Sequence, residues 1–120
     1  MRPSEIRKFS HLLKHVNLQP DAVQEYSEGM EWSDIPFPNL KSVKKVTLED
    51  FMESGYCRPD RRTGDQGQWC VFEETLENDP TWIELLILVD ELVGRSGDTH
   101  HRFFEGFKLQ DDVLEFECGS

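Results

Sequence analysis

The stretch HHRFFEGFKLQDDVLEFEC, residues 100–118, decides the fold of this chain. Apolar and polar residues alternate on both sides of Gln110-Asp111-Asp112, whose composition is typical of a turn. We therefore predict a β-hairpin with strands over residues 100–109 and 112–118. Alternation gives the second strand two faces: a buried one with Leu114, Phe116 and Cys118, and an acidic one with Val113, Glu115 and Glu117. It gives the first strand one face with His101, Phe103, Glu105 and Phe107, and another with His100, Arg102, Phe104 and Lys108.

The segments before the hairpin extend this pattern. Residues 68–73 alternate in the same way and predict a further strand. Residues 82–93 are apolar on nearly all sides, so periodicity does not separate helix from strand there. Asp79 as a cap and Pro80 in the first turn suit a helix. The β-branched residues of the run favour a strand, and a strand is our prediction.

The first half of the chain has helical spacing instead. Apolar residues recur every three or four positions over residues 4–16, which predicts a helix there. Residues 21–28 are compatible with a short helix, within a stretch (residues 18–46) that we otherwise expect to be an ordered loop. Thr47 resembles a helix cap, which predicts another helix ending at Gly55, followed by a polar loop over residues 58–67. Helices that precede a run of strands predict an α+β fold. We expect N-terminal helices packed on one face of a mostly antiparallel sheet formed by the C-terminal half.

The length of the chain indicates the number of domains, and its net charge indicates which kinds of partner it can attract. A chain of 120 residues predicts a single domain over residues 1–120. It has 24 acidic and 13 basic residues, so its formal net charge is −11. The charges are unevenly placed, because residues 1–17 hold four basic residues against one acid. A strongly acidic chain repels nucleic acid and attracts cationic partners, so we predict no nucleic-acid binding.

The cysteines and the apolar runs bear on the compartment. Cys57, Cys70 and Cys118 are odd in number and widely spaced, which does not suit a disulfide framework and favours a reducing, cytoplasmic location. The N-terminal residues show no apolar segment of the signal-peptide kind. The most apolar run, residues 82–89, is far shorter than the roughly 20 residues that cross a bilayer, so no membrane partner is predicted.

The predicted ligand-binding site consists of His101, Glu105, Glu115 and Trp82, and Glu117 is a further acid of the same hairpin. Glu105 and Glu115 on the hairpin, together with Glu117, are the acids expected to attract a cation. His101 and Trp82 are the candidate pocket residues, because imidazole titrates near neutral pH and aromatic side chains often line ligand cavities. The interpretation is a small acidic binding module for a cationic or amphiphilic ligand or a basic protein partner. A homodimer formed through an exposed strand edge is a further expectation.

Two other functions remain open. One is a small enzyme in which His100 or His101 acts with Asp98 or Glu105. The other is an immunity-type inhibitor that covers the basic site of a toxin. We assign no catalytic residue, metal or cofactor, because the chain has no Cys-x-x-Cys, no phosphate-binding glycine loop and no Gly-x-Ser-x-Gly elbow. His11 and His15 are interpreted as part of a solvated basic face.

The residues Gly97-Asp98-Thr99-His100-His101 and the hairpin that follows them carry a resemblance. This stretch, up to Phe116, resembles the C-terminal hairpin of small uncharacterised bacterial proteins encoded on integron gene cassettes, which are mobile elements. The shared residues cover less than a fifth of the chain. The resemblance implies a bacterial, cytoplasmic protein with a compact α+β fold, and it implies no catalytic residue.

Overall fold

The computed structural model describes residues 1–49, 59–60, 68–97 and 101–119. Within these residues the chain forms three helices and six strands. In chain order they are α1 (Pro3–Leu12), β1 (Asn17–Leu18), α2 (Pro20–Ser27), β2 (Ser42–Glu49), β3 (Pro59–Asp60), β4 (Gln68–Thr75), α3 (Trp82–Ser96), β5 (Phe103–Gln110) and β6 (Val113–Gly119). Of the helices in these ranges, none combines the length and the apolarity needed to cross a membrane.

The described strands form one mixed sheet in the order β1-β5-β6-β2-β4-β3. The pairs β5–β6, β2–β4 and β3–β4 are antiparallel, whereas β1–β5 and β2–β6 are parallel. The parallel β2–β6 contact joins the C-terminal hairpin to the antiparallel strands before it. The prediction of an α+β fold, with a mostly antiparallel sheet in the later part of the chain, is confirmed.

One face of the sheet forms the hydrophobic core with the helices. Val43 of β2 lies in register with Leu114 of β6, and both side chains are fully buried. Ile6 of α1 and Val23 of α2 belong to the same core, and each fully buried aliphatic side chain contributes about 2 kcal/mol. The largest apolar share comes from α3, through Trp82, Leu85, Leu86, Val89, Leu92 and Val93.

The prediction of a strand over residues 82–93 is wrong, because this run belongs to helix α3. A complete capping box begins the helix: Glu84 N–H donates to Thr81 Oγ1 at 3.3 Å, and Thr81 N–H donates to the Glu84 carboxylate at 3.0 Å. Gly97 ends it with a φ of 66°, which glycine adopts without Cβ strain. These end signals and the packing of the helix outweigh the weaker strand preference of β-branched residues.

The cap has an electrostatic consequence for Glu84. Its pKa lies below the ordinary 4.5, mainly because the carboxylate accepts the Thr81 backbone N–H and secondly because of the Thr81 side chain. A lowered pKa means that the charged form is the one the fold favours. The contribution of Glu84 to stability is therefore present above pH 4.5 and is lost as the pH falls through the lowered value.

Two helices predicted from the sequence differ from the structure. Helix α1 ends at Leu12, so His15 does not share a helix face with His11. The His15 ring lies over Gly94 of α3, where an added Cβ would be 2.5 Å from the ring. Residues 47–49 end strand β2 and do not begin a helix. The rest of that predicted helix, and the predicted loop except for Pro59–Asp60, lie outside the described residues.

The hairpin prediction is confirmed, but the faces of β5 are not. Asp111 and Asp112 connect the strands with φ values of 53° and 63°, a left-handed conformation that aspartate tolerates better than most residues. Leu114 and Phe116 are buried, as predicted for β6. A bulge between Phe104 and Gly106 adds one residue to β5, so Phe104 and Phe107 pack together on the core side with ring centroids 4.8 Å apart.

Tyr26 of α2 covers the edge of β5 beside this bulge. Its hydroxyl accepts the Phe107 N–H at 3.1 Å and donates to the Phe107 carbonyl at 3.3 Å. Gly106 leaves room for the hydroxyl, because an added Cβ there would lie 2.7 Å from the phenolic oxygen. Strand β1 pairs with β5 only at Phe103 and Phe104, so the tyrosine satisfies two backbone groups beyond the reach of β1.

Replacing Tyr26 with phenylalanine is expected to lower the free energy of unfolding by about 1–2 kcal/mol, since two partly buried backbone groups lose their partner while the ring stays in place. Urea unfolding measures the loss, and amide hydrogen exchange should accelerate at Phe107. The exposed α2 residue Glu25, changed to alanine, is the control and should shift stability by less than about 0.5 kcal/mol. Unchanged exchange at Phe107 would contradict the expected role.

Candidate functional site

The four residues predicted to bind a ligand do not converge on one pocket. Trp82 is fully buried, its indole N–H lies 3.4 Å from Met30 Sδ, and its ring packs against Phe37 and Phe107. Trp82 therefore belongs to the core, on the helix-covered side of the sheet. Glu115 alternates with the buried residues of β6 and so lies on the opposite side.

Two lysines flank Glu115 on that opposite face. Lys44 Nζ is 4.0 Å from Glu115 Oε1, and Lys108 is the cross-strand partner of Glu115 in the β5–β6 register. These side chains line a small cleft of about 190 Å³. Since the lysines offset its charge, Glu115 is less suited to attract a cationic ligand than the sequence alone indicates.

The remaining predicted residues lie towards the other end of the hairpin. Glu117 is exposed, and the carboxylate of Glu105 lies over Gly119, within 2.6 Å of the position that a Cβ would take there. His101 is exposed two residues before β5. His100 and Asp98, which the enzyme hypothesis requires, lie outside the described residues. Glu115, Glu117 and Gly119 thus share one face of β6, with the Glu105 carboxylate over Gly119, whereas Trp82 lies on the other side of the sheet.

A surface that the sequence analysis missed lies on α3. Ile83 and Ile87 are 39% and 42% exposed, and Glu84 and Glu91 are exposed as well. With about 100° between successive residues of a helix, these four side chains fall within an arc of about 100°. We call this surface the α3 face: Ile83, Glu84, Ile87 and Glu91. The helical periodicity that indicates it is hidden when residues 82–93 are taken as a strand.

An ion-pair network borders the α3 face and leaves it acidic. Arg95 Nη1 is 2.8 Å from Glu74 Oε2, and Arg95 Nη2 is 4.0 Å from Glu91 Oε2. The shorter contact ties the guanidinium mainly to Glu74 of β4. These side chains are about half exposed, so the pairs add little to stability. Two exposed carboxylates therefore remain beside the two isoleucines.

Neither a match to a known family nor a cluster of metal-ligating side chains among the described residues indicates a function for these surfaces. Comparison of the chain with protein-family models, with curated proteins and with solved structures gives no match. In the part of the chain that the structure describes, no three His, Cys, Asp or Glu side chains lie close enough to hold a metal ion. We therefore infer what these surfaces bind from the apolar and charged side chains that they expose.

Proposed function

We propose that this protein is a non-catalytic binding module for a basic protein partner, which docks on the α3 face. The observation that carries the proposal is a pair of exposed isoleucines, Ile83 and Ile87, one helical turn apart and flanked by Glu84 and Glu91. Contiguous exposed apolar residues with a polar rim are typical of interaction surfaces. A partner helix with apolar residues one turn apart fits such a face.

Charge complementarity supports a basic partner over a neutral one. The chain has a formal net charge of −11, which speeds the encounter with a cationic protein. Lysine or arginine beside the apolar residues of the partner helix would meet Glu84 and Glu91. A toxin with a basic site is one form of such a partner. The cytoplasmic location, the integron-cassette origin and a homodimer stay predictions.

The hairpin acids offer a second acidic surface for the same kind of partner. Glu105 and Glu117 are exposed there, and Phe103 beside them is 42% exposed. The exposed cations Arg102 and Lys108 lie on the same strand or just before it, which weakens the local negative field. We therefore favour the α3 face and treat binding at the hairpin as an outcome of the test.

A synthetic amphipathic helix with a leucine face and a lysine face is the probe for this proposal. Fluorescence anisotropy should show saturable binding to the protein, and an otherwise identical helix with glutamate for lysine should not bind. Exchanging Ile87 for serine should weaken binding about tenfold, because it removes an apolar anchor. Exchanging both Glu84 and Glu91 for glutamine should weaken it at least about threefold.

Two further double variants distinguish docking on the α3 face from non-specific attraction to the negative net charge. Changing two exposed acids, Glu25 of α2 and Glu28 just after that helix, to glutamine alters the net charge by the same amount and should change affinity less than about twofold. Changing Glu105 and Glu117 to glutamine tests the hairpin. Equal losses of affinity in all three double variants would mean that the lysine helix binds by non-specific charge attraction. A loss confined to the hairpin variant, or no binding of the lysine helix, would overturn docking on α3.

A further inference from the structure

A basic cleft lies between α1, β1 and the start of α2, in a chain that is acidic elsewhere. Its volume is about 400 Å³, within the range of small-molecule sites. Arg7 and His11 reach it from α1, Lys14 from the segment after that helix, and Arg102 from the residue before β5. Among the described residues that line the cleft, none is an aspartate or a glutamate.

Within the part of the chain that the structure describes, the cations of the cleft form no ion pairs. In the described ranges, the salt bridges involve Lys44 and Arg95, and none includes Arg7, Lys14 or Arg102. Arg102 Nε donates to the His15 carbonyl at 2.8 Å, which orients the guanidinium and leaves its two terminal amino groups as donors. Fixed guanidinium donors suit the oxygens of an anion.

A hydroxyl group and the partial charge of a helix N-terminus add to the positive character of the same cleft. Ser10 Oγ lines it and accepts the Leu18 N–H at 2.9 Å, so its hydroxyl proton can be donated into the cleft. The N-terminus of α2 borders the cleft at Gln19 and Pro20, and Gln19 makes no side-chain cap. A helix N-terminus has a positive partial charge, which Asp21 in its first turn offsets in part.

We infer that this cleft is a binding site for a small molecule bearing a phosphate group. Three lining cations match a doubly charged phosphate better than a single carboxylate, and arginine forks bind phosphate oxygens in pairs. The concave shape and limited volume favour a small molecule over an extended polyanion. The net charge of −11 does not preclude this, since nearby charges dominate within the screening length of about 10 Å. The inference is independent of the α3 face.

Titration calorimetry with inorganic phosphate and with pyrophosphate tests the inference on the intact protein at an ionic strength of about 0.1 M, where the screening length is about 10 Å. We expect saturable binding with a dissociation constant on the order of millimolar or tighter. Replacing Arg7 with glutamine should weaken it about tenfold, as should replacing Arg102. Arg7 is exposed on α1, so its variant should keep the fold. Backbone resonances of Ser10, Asn17 and Leu18 should shift on binding.

Matched controls distinguish phosphate binding in the cleft from non-specific attraction to positive charge on α1. Lys8 is exposed next to Arg7 but does not line the cleft, and Lys8→Gln should leave binding within about twofold. Equal weakening by Lys8→Gln and Arg7→Gln would overturn the site. So would the absence of phosphate and pyrophosphate binding, or acetate binding as tightly as phosphate. Binding seen only with vesicles containing phosphatidic acid would replace the small molecule with a membrane surface.

Discussion

Replacing Asp90 with alanine is expected to lower the free energy of unfolding by about 3–4 kcal/mol. Asp90 of α3 is 7% exposed, and its carboxylate accepts three backbone amides of the segment between α1 and β1. His15 N–H and Val16 N–H donate to Oδ1 at 2.7 and 2.8 Å, and Lys14 N–H donates to Oδ2 at 3.2 Å. Alanine leaves all three amides without this acceptor. Urea unfolding measures the change.

Two variants calibrate the Asp90 result. Glu91 is the next residue of α3 and is exposed, so Glu91→Ala should cost less than about 0.5 kcal/mol. Asp90→Asn keeps one acceptor oxygen and should lie between the wild-type protein and Asp90→Ala. A loss below about 1 kcal/mol for Asp90→Ala would mean that the three amides find other partners, and the tie between α3 and the N-terminal segment would be refuted.

Replacing Trp82 with alanine is expected to cost about 4 kcal/mol of unfolding free energy. The side chain is fully buried, its ring centroid lies 6.1 Å from that of Phe107 and 6.3 Å from that of Phe37, and its N–H faces Met30 Sδ. Its removal leaves a cavity among residues that cannot fully collapse into it. Thermal and urea unfolding both report the loss.

The control for Trp82 lies on the same helix. Ile87 is 42% exposed, so Ile87→Ala should cost less than about 1 kcal/mol and change peptide docking more than stability. Trp82→Phe keeps an aromatic ring and should cost less than the alanine variant. If Trp82→Ala left stability within about 1 kcal/mol of wild type but abolished binding of a ligand, Trp82 would be a pocket residue and not a core residue.

The elements predicted correctly are those with local signals. The β6 alternation, the Asp111–Asp112 turn, strand β4 and the short helix α2 all depend on neighbours in the chain. Helix α3 also carries local end signals, Thr81 with Glu84 at its start and Gly97 at its end. Its β-branched composition led to the wrong choice. Weighting the caps above residue propensity predicts it correctly.

The candidate sites were harder to predict than the fold class. The exposure of Glu117 follows from the acidic face predicted for β6, but the lysines beside Glu115 come from two other strands. The α3 face needs the helix to be recognised first. The basic cleft needs Arg102 to be placed beside α1, and this depends on the parallel pairing of β1 with β5.

The amino-acid sequence by itself determined the net charge, the α+β class, and the strands and turn of the C-terminal hairpin, because composition, alternation and turn preference involve residues close together in the chain. Tertiary structure decided three other features. These are the carboxylate of Asp90 on amides 74 to 76 residues away, the bulge that turns Phe107 to the core, and Lys45, only 3% exposed on the core-facing side of β2. Each depends on contacts between distant segments, which leave no periodic pattern in the sequence.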